Sequence, residues 1–374
     1  MPLRHVGFNA LFLDPGVSGG PETYLRGLVP AIATEFPSLQ LTVVTTRRGA
    51  RSLRADGWTD FARIVHLPCD EGERGRRLAA EQLLLGTVAR RRRFDVLHSL
   101  ASIGPVLPSV PAVVTLHDVT FFRIRTFGLT TTLAMKAIVT GAARTASALI
   151  SGSAAARDEA CEELHLDPAR FTVVHHGAGR LPDTVPTPAA DIRAKLGLDG
   201  QRVVLTVGAI RPHKNQGVLV EALPSLPADV VLVLAGRPEL GAEELGERAR
   251  ALGVAERVVT TGYLDDADLE GLWRVASCFA FPTRAEGFGL PLLEAMQRGV
   301  PAACSDIPVL REVGGDVARR FDPDDPAGAA AAVQAAMADP DAAERGRVQA
   351  QAFSWEASAR GTYAAYERAL TARR

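Results

Sequence analysis

The chain has 374 residues, of which 47% are hydrophobic and 23% charged, and its formal net charge is -1. This composition is typical of a globular protein and excludes a disordered chain, while the small net charge argues against nucleic-acid binding. The length exceeds what one ordinary core fills, so we expect two domains.

Cysteine usage and the absence of apolar segments predict the compartment. The four cysteines, Cys69, Cys161, Cys278 and Cys304, lie far apart without a Cys-x-x-Cys pair, so neither a zinc site nor a disulfide framework is indicated. Residues 1–16 read as a first strand and turn without a leader's cleavage site, and no run approaches the ~18 apolar residues of a membrane span. We therefore predict a cytoplasmic protein.

In chain order, short apolar runs alternate with segments of helical periodicity, which predicts parallel strands joined by crossover helices. The predicted strands of the first half are Val6–Phe12, Leu41–Thr45, Arg63–Leu67, Asp95–His98, Ala112–Leu116, Leu149–Ser151 and Thr172–His175. The predicted helices between them include Glu22–Phe36, Arg76–Arg92 and Ala154–Leu164.

A Pro- and Gly-rich stretch, Gly177–Pro188, interrupts the alternation and predicts a linker. The pattern then resumes with predicted strands at Val203–Val207, Val230–Leu234, Val258–Thr261, Cys278–Phe281 and Ala302–Cys304. We predict an α/β protein with one domain over 1–180, a second over 181–352, and a closing helix over 353–374 for which packing on the N-terminal domain is one option. Ligands of such sheets bind at the carboxyl ends of the strands, and a cleft between two sheets is a usual place.

Three loops after predicted strands carry candidate groups. Gly19 and Gly20 precede a helix whose N-terminus can receive a phosphate, although a tight turn without ligand explains them equally well. His117 follows a buried strand, where a histidine bonded only to nearby backbone is the competing interpretation. Arg211 and Lys214 put positive charge on one loop; because the chain has only three lysines, we favour a functional Lys214 over a solvated surface residue.

The segment Glu286–Met296, EGFGLPLLEAM, is the strongest signal. Pro291 suits the start of a helix, which would place Glu294 in its first turn and Glu286 in the preceding glycine loop. Carboxylates accept hydrogen bonds from vicinal hydroxyls, so the pair suits a ribose and a hexose. Complementing the helix dipole would explain Glu294 alone, but it would leave the Gly-Phe-Gly loop unexplained.

These motifs together resemble the retaining glycosyltransferases of family 4, which have the two-domain GT-B fold. The matching pieces, in the family's order, are GGPETY at Gly19–Tyr24, TLHD at Thr115–Asp118, ISGSAA at Ile150–Ala155, VVHHG at Val173–Gly177, RPHKN at Arg211–Asn215, LVLAG at Leu232–Gly236, TGYL at Thr261–Leu264, EGFGLPLLEAM at Glu286–Met296 and SDIPVLREVGG at Ser305–Gly315. The resemblance implies two Rossmann-like, doubly wound domains facing across a cleft, the N-terminal one binding the acceptor and the C-terminal one the nucleotide-sugar donor.

The resemblance also implies roles for single residues. The implied catalytic residues are His117 at the donor sugar, Lys214 at the diphosphate and Glu286 at the hydroxyls of the transferred sugar. The implied donor-binding residues are Gly19, Gly20, Arg211, Lys214, Gly287, Phe288, Gly289, Leu290 and, at the ribose, Glu294. The role of Arg211 stays open, since many members carry an arginine where this chain has Ala209.

Family 4 implies front-face transfer with retention, no metal and no cofactor, because cationic side chains stabilise the leaving diphosphate. Glu286 is then a positioning residue and not a nucleophile of the kind that retaining glycosidases use. The Pro-His-Lys-Asn loop favours GDP-mannose as donor, with UDP-linked hexoses next, and the acceptor is a glycan or a lipid-linked glycan. The alternatives are a GT-B nucleotide-sugar epimerase and a catalytically idle nucleotide-sugar-binding or scaffold protein.

The N-terminal domain concentrates arginines at Arg74, Arg76, Arg77 and Arg90–Arg93. Such a basic helix can dock peripherally on the inner face of the cell membrane, although arginines at a helix C-terminus also complement its dipole. The loops Asp70–Arg77 and Thr120–Thr132 are the candidates for acceptor choice.

Overall fold

The structure, a computed structural model, describes residues 3–69, 74–123, 128–179, 184–239 and 241–372. The chain divides into two compact units, the first formed by Met1–Gly177 with Phe353–Arg374 and the second by Ala178–Ala352. Four residues of the predicted linker, 180–183, lie outside the described part of the chain.

In its described residues the first unit holds a parallel sheet of seven strands in the order β3-β2-β1-β4-β5-β6-β7. The strands are β1 His5–Ala10, β2 Gln40–Thr45, β3 Arg63–His66, β4 Val96–Ser99, β5 Ala112–Leu116, β6 Ala148–Ser151 and β7 Phe171–Val173. The order reverses its direction at β1 and β4, which pair in register from Val6 with Val96 to Asn9 with Ser99. This switch point is where the carboxyl ends of strands of a doubly wound sheet form a ligand site.

The helices of the first unit are α1 Gly20–Glu35, α2 Arg47–Ala55, α3 Arg74–Leu83, α4 Leu85–Arg92, α5 Thr120–Arg123, α6 Leu129–Thr145, α7 Ala154–Leu164 and α16 Trp355–Thr371. Helix α16 comes from the end of the chain, and its Tyr366 is fully buried in the core that β1 and α1 form with Phe8 and Leu28. Burying each such apolar side chain stabilises the fold by about 2 kcal/mol. This burial holds α16 on the sheet.

The second unit has six parallel strands among its described residues, in the order β10-β9-β8-β11-β12-β13. They are β8 Arg202–Val207, β9 Val230–Ala235, β10 Val258–Gly262, β11 Ala276–Phe281, β12 Ala302–Ser305 and β13 Arg319–Phe321. The helices are α8 Ala189–Leu196, α9 Gln216–Ala222, α10 Ala242–Ala251, α11 Asp266–Val275, α12 Leu290–Gln297, α13 Pro308–Gly314, α14 Pro326–Ala338 and α15 Ala342–Gln351. Two parallel, doubly wound sheets confirm the predicted α/β class and the Rossmann-like character of each unit.

Some predicted elements are wrong in detail. The helix expected over Arg76–Arg92 is two helices, α3 and α4, which are interrupted at Leu84. The described parts of the two expected acceptor loops are largely helical, because α3 begins at Arg74 and α5 and α6 occupy Thr120–Arg123 and Leu129–Thr145. Residues 70–73 and 124–127 of those loops lie outside the described residues.

No described helix combines the length and the apolar character needed to cross a membrane.

Candidate active site

In the first unit the turn after β1 leads directly into α1. Gly19 is the N-cap of α1 with φ of 56°, in the left-handed region that favours glycine, and Pro21 lies in the first helical turn. A Cβ atom built on Gly19 or Gly20 would meet nothing within 4 Å, so the space over this helix start is open. The start of α1 is therefore accessible, as a phosphate-binding helix start requires.

His117 directly follows β5, and its imidazole is fixed by backbone. Its Nε2 lies 2.6 Å from the carbonyl oxygen of Leu100, and its backbone N–H donates to the hydroxyl of Ser102 at 3.1 Å. A carbonyl can only accept, so Nε2 carries the proton and Nδ1 keeps its lone pair in the neutral ring. Burial lowers the pKa of His117, against the Leu100 hydrogen bond and the charge of Asp118, which raise it. The ring is therefore neutral near pH 7 and can accept a hydrogen bond from a hydroxyl.

A buried aromatic cluster backs His117. The Tyr24 ring of α1 meets the His117 ring edge-on with centroids 4.9 Å apart, and His176 lies 4.5 Å from Tyr24. The Tyr24 hydroxyl is 3.2 Å from the hydroxyl of Thr115, which in turn is 2.7 Å from Nε2 of His98. Because all of these groups are buried, the cluster leaves His117 little freedom to rotate.

His98 links this cluster to the end of the chain. Its Nδ1 lies 2.8 Å from the hydroxyl of Tyr366 on α16, so both ring nitrogens have partners. Burial lowers the pKa of His98 to about 3, which keeps the ring uncharged at neutral pH. Sequence reasoning missed Tyr24, His98 and Tyr366 as parts of the site, since a buried aromatic or histidine at core spacing gives no functional signal.

In the second unit the loop after β8 meets the loop after β11. The carbonyl oxygen of His213 accepts the backbone N–H of Arg284 at 2.8 Å, and the hydroxyl of Thr283 lies 3.2 Å from the same oxygen. Lys214 is ion-paired with Glu286 across these loops, and both side chains are largely buried. The structure thus brings together Lys214 and Glu286, two of the three predicted catalytic residues.

The Gly-Phe-Gly loop shapes the start of α12. Gly289 caps the helix with φ of 94°, and a Cβ there would lie 2.7 Å from a methyl carbon of Leu310. Only glycine avoids both the strain and the contact. Phe288 is buried, and Leu290 is the first residue of α12.

Glu294 is the fifth residue of α12 and does not lie in the first turn as predicted. The dipole explanation for this carboxylate therefore loses its support, because the effect falls off within the first turn. No described residue donates a hydrogen bond to its side chain; Arg298, one turn later, is bonded to Glu270 instead. Burial raises the pKa of Glu294 to about 7, with Arg298 lowering it and Glu270 raising it.

Gly179 lies against the Glu294 carboxylate. A Cβ built on Gly179 would lie 2.4 Å from Oε1 of Glu294, so this position tolerates no side chain without moving the carboxylate. Arg211, by contrast, is exposed and makes a two-pronged ion pair with Glu239 at 2.7 and 2.9 Å. The structure does not bring Arg211 into contact with Lys214 or Glu286 among the described side chains.

Two family models match the chain. Residues 18–178 match Glycosyltransferase Family 4, and residues 189–353 match Glycosyl transferases group 1. The chain belongs to the family 4 glycosyltransferases. The matches follow one another along the chain and cover all the described strands except β1, which confirms the resemblance found in the motifs.

Named relatives of this glycosyltransferase family align with about half of the chain. The O-antigen chain mannosyltransferase B of Escherichia coli is 34% identical over 193 residues, which cover 49% of this chain and 50% of the relative. The D-inositol 3-phosphate glycosyltransferase of Mycolicibacterium gilvum is 36% identical over 217 residues, or 55% of this chain and 48% of the relative. The matched part thus spans about half the length of these curated relatives.

Among solved structures, the Anabaena protein Alr3699/HepE, in complex with UDP and glucose, is similar with a TM-score of 0.74. It is 21% identical, and the match covers 96% of this chain and 98% of that one. At this identity the likeness confirms the GT-B fold and nothing further.

Proposed function

We propose that the protein transfers a hexose from a nucleoside-diphosphate sugar to a glycan or a lipid-linked glycan, with retention of the anomeric configuration. The observation that carries the proposal is the burial and hydrogen bonding of the Glu294 side chain. The Glu294 side chain is half-buried, and no described residue donates a hydrogen bond to its carboxylate, so the oxygens are open to a ligand that supplies donors. The vicinal hydroxyls of a ribose are such donors.

Lys214 and Glu286 support the part of the proposal that concerns the transfer step. When the bond between the anomeric carbon and the leaving phosphate oxygen breaks, negative charge grows on the diphosphate, and the Lys214 ammonium stabilises it. Helix N-termini such as that of α1 offer the same kind of stabilisation through backbone N–H groups. We propose that these groups take the place of a metal ion and that the enzyme needs no cofactor. Among the described residues no group of three or more His, Cys, Asp or Glu is placed to hold a metal.

In the proposed front-face step, the acceptor oxygen bonds to the anomeric carbon on the side that the phosphate leaves. The acceptor's proton passes to the departing phosphate oxygen, so no protein base is needed. Glu286, already paired with Lys214, positions the sugar hydroxyls, and neutral His117 accepts a hydrogen bond from one of them at Nδ1.

The test measures hydrolysis and transfer with EDTA present, using the wild type, Glu286→Gln and Glu294→Gln. We expect slow acceptor-free donor hydrolysis by the wild type, at least 100-fold less by Glu286→Gln, and weaker donor binding by Glu294→Gln. Nucleotide-sugar binding without any turnover would favour the idle binding protein, and an interconverted donor sugar would favour the epimerase. A glycosyl adduct on Glu286 of the wild type would refute front-face attack.

For the donor we propose GDP-mannose. The Pro212-His213-Lys214-Asn215 loop supports this choice, and the similar E. coli protein is named a mannosyltransferase. Thermal shift with GDP-mannose, UDP-glucose and their free nucleotides decides the question, since a ligand at 100 times its Kd adds about 2.7 kcal/mol of stability. A larger shift with UDP-glucose than with GDP-mannose would reverse the assignment.

We also propose peripheral contact with an anionic membrane through Arg90–Arg93, which would place the protein at the cytoplasmic face. All four arginines are exposed at the end of α4, so their charges can reach lipid headgroups. Liposome sedimentation should show binding that rises with the fraction of anionic lipid and falls with salt, and a fourfold Arg→Gln variant should lose it. Equal sedimentation with neutral vesicles would exclude this contact.

A further inference from the structure

Helix α3 carries two polar side chains that the site described above does not use. Glu81 is 4% exposed, and its Oε1 accepts a hydrogen bond from the side-chain amide of Asn9 on β1. Its neighbour Gln82 donates to the carbonyl oxygen of Gly104 at 2.9 Å and accepts the backbone N–H of Val106 at 2.8 Å. Gln82 therefore contacts the segment after β4 directly, whereas Glu81 contacts Asn9 on β1.

That segment, residues 100–106, is the one that holds His117. Leu100 supplies the carbonyl that fixes the Nε2 proton, and Ser102 supplies the hydroxyl that accepts the His117 backbone N–H. The amide of Asn9 lies 3.4 Å from the carbonyl oxygen of Ile103. The contacts of α3 thus reach His117 through one short stretch of backbone.

This stretch is strained. Ser102 has φ of 60°, a left-handed conformation that a serine adopts only when its surroundings impose it. Its backbone N–H donates to the carbonyl oxygen of Thr115 at 2.9 Å, and Gln82 clamps the chain two and four residues further on. Without the clamp, the strain favours relaxation of the segment away from its hydrogen bonds to His117.

We propose that Glu81 and Gln82 are positioning residues, which hold His117 with Nε2–H on Leu100 and Nδ1 available to a sugar hydroxyl. The proposal rests on the proposed function for the hydroxyl contact, but the orientation of His117 can be measured without substrate. The proposal also explains why the Glu81 carboxyl is buried, since it accepts a hydrogen bond from the side-chain amide of Asn9.

The readout is deuterium exchange at the C2–H of each histidine, followed by mass spectrometry of the full chain, which reports the pKa and accessibility of His117. The titratable groups that face or adjoin His117 are Tyr24 from α1, His98 from β4, His176 after β7 and the adjacent Asp118. None of them is changed in the variants, so a shift in the exchange of His117 reports the movement of segment 100–106.

We expect Gln82→Ala to speed the exchange of His117 about fivefold or more and to move its midpoint up towards 6.5, because local opening exposes the ring. Glu81→Ala should act in the same direction, whereas Glu81→Gln keeps an acceptor for Asn9 and should stay within about twofold of the wild type. Leu83→Gln is the matched control, since Leu83 lies on the same helix and is 74% exposed.

Donor turnover supplies the second readout, with kcat expected to fall roughly 10- to 100-fold in Gln82→Ala and KM to change less. Folded Gln82→Ala with unchanged exchange at His117 would overturn the proposal, even where Glu81→Ala fails to fold. If the wild type turns over no donor, the proposed function fails, and the exchange data still decide the positioning.

Discussion

The raised pKa of Glu294 makes donor binding depend on pH. An ionised carboxylate accepts hydroxyls strongly at both oxygens, whereas protonation turns one oxygen into a donor and removes the charge. Burial puts the pKa of Glu294 at about 7. From pH 8 to pH 6 the ionised fraction falls from about 90% to about 10%, so the apparent Kd for a nucleotide sugar should rise roughly tenfold, or about 1.4 kcal/mol. Binding weakens as the pH falls because burial raises the pKa of Glu294, so the carboxyl is protonated at pH 6 and accepts hydroxyls less well.

Isothermal titration with an intact nucleotide sugar is the suitable assay, because its diphosphate has no ionisation between pH 6 and 8. Titrations at pH 6.5 in buffers of different ionisation enthalpy should show release of roughly 0.7 proton on binding. Glu294→Gln should bind more weakly and lose most of the pH dependence, while Glu344→Gln, a change at an exposed carboxylate, should keep the slope. His117 also titrates below 6.5, and its contribution remains in Glu294→Gln, so the difference between the profiles isolates Glu294. An unchanged wild-type Kd over this range, or an equal slope in Glu294→Gln, would refute the reasoning.

Three further outcomes follow from the same contacts. Glu294→Gln should raise the free energy of unfolding by about 1–3 kcal/mol at pH 8 and by little at pH 4.5. At the lower pH the carboxyl is protonated in the folded chain and about half protonated in the unfolded one, because its ordinary pKa is 4.5. Urea unfolding at the two pH values measures this difference. Lys214→Met should lower kcat about 10²- to 10³-fold. Adding Glu286→Gln to this variant should lower kcat much less than a further 10²-fold, because the pair acts as a unit. Gly179→Ala should weaken nucleotide-sugar binding about five- to tenfold by displacing the Glu294 carboxylate, whereas Gly246→Ala, whose Cβ meets nothing closer than 3.7 Å, should not.

Strands were the easiest elements to predict, because a fully buried parallel strand appears as a short run of apolar residues. Ala112–Leu116 was predicted at its observed bounds, and Ala154–Leu164 likewise as a helix. The break between α3 and α4 has no local signal, because Leu83, Leu84 and Leu85 continue the helical pattern and the nearby Gly86 lies inside α4. Strand β13, Arg319–Phe321, is mostly charged and is identified only by its pairing with β12.

Local motifs could place the predicted polar residues at the ends of strands, but not their partners. The pairing of Lys214 with Glu286 joins residues 72 positions apart, and nothing in either loop specifies it. Glu294 is predicted one residue too close to the helix start, because Pro291, taken as the first residue of the helix, is the second. Asn9 and Glu81 gave no signal, since a buried acid on a helix becomes recognisable only when the amide beneath it is known.

Glu286 and Glu294 belong to one motif but have different surroundings. This difference bears on the order in which the parts of the donor bind. Glu286 already has a cation, Lys214, whereas Glu294 has a raised pKa and no hydrogen-bond donor among the described residues. On the proposed function, a ribose can bind Glu294 without breaking any contact of the protein. A diphosphate must instead compete with Glu286 for the Lys214 ammonium. When Lys214 turns to the diphosphate, the Glu286 carboxylate becomes free to bind sugar hydroxyls. Nucleoside binding should therefore be nearly independent of Glu286, whereas binding of the sugar should depend on the presence of the diphosphate.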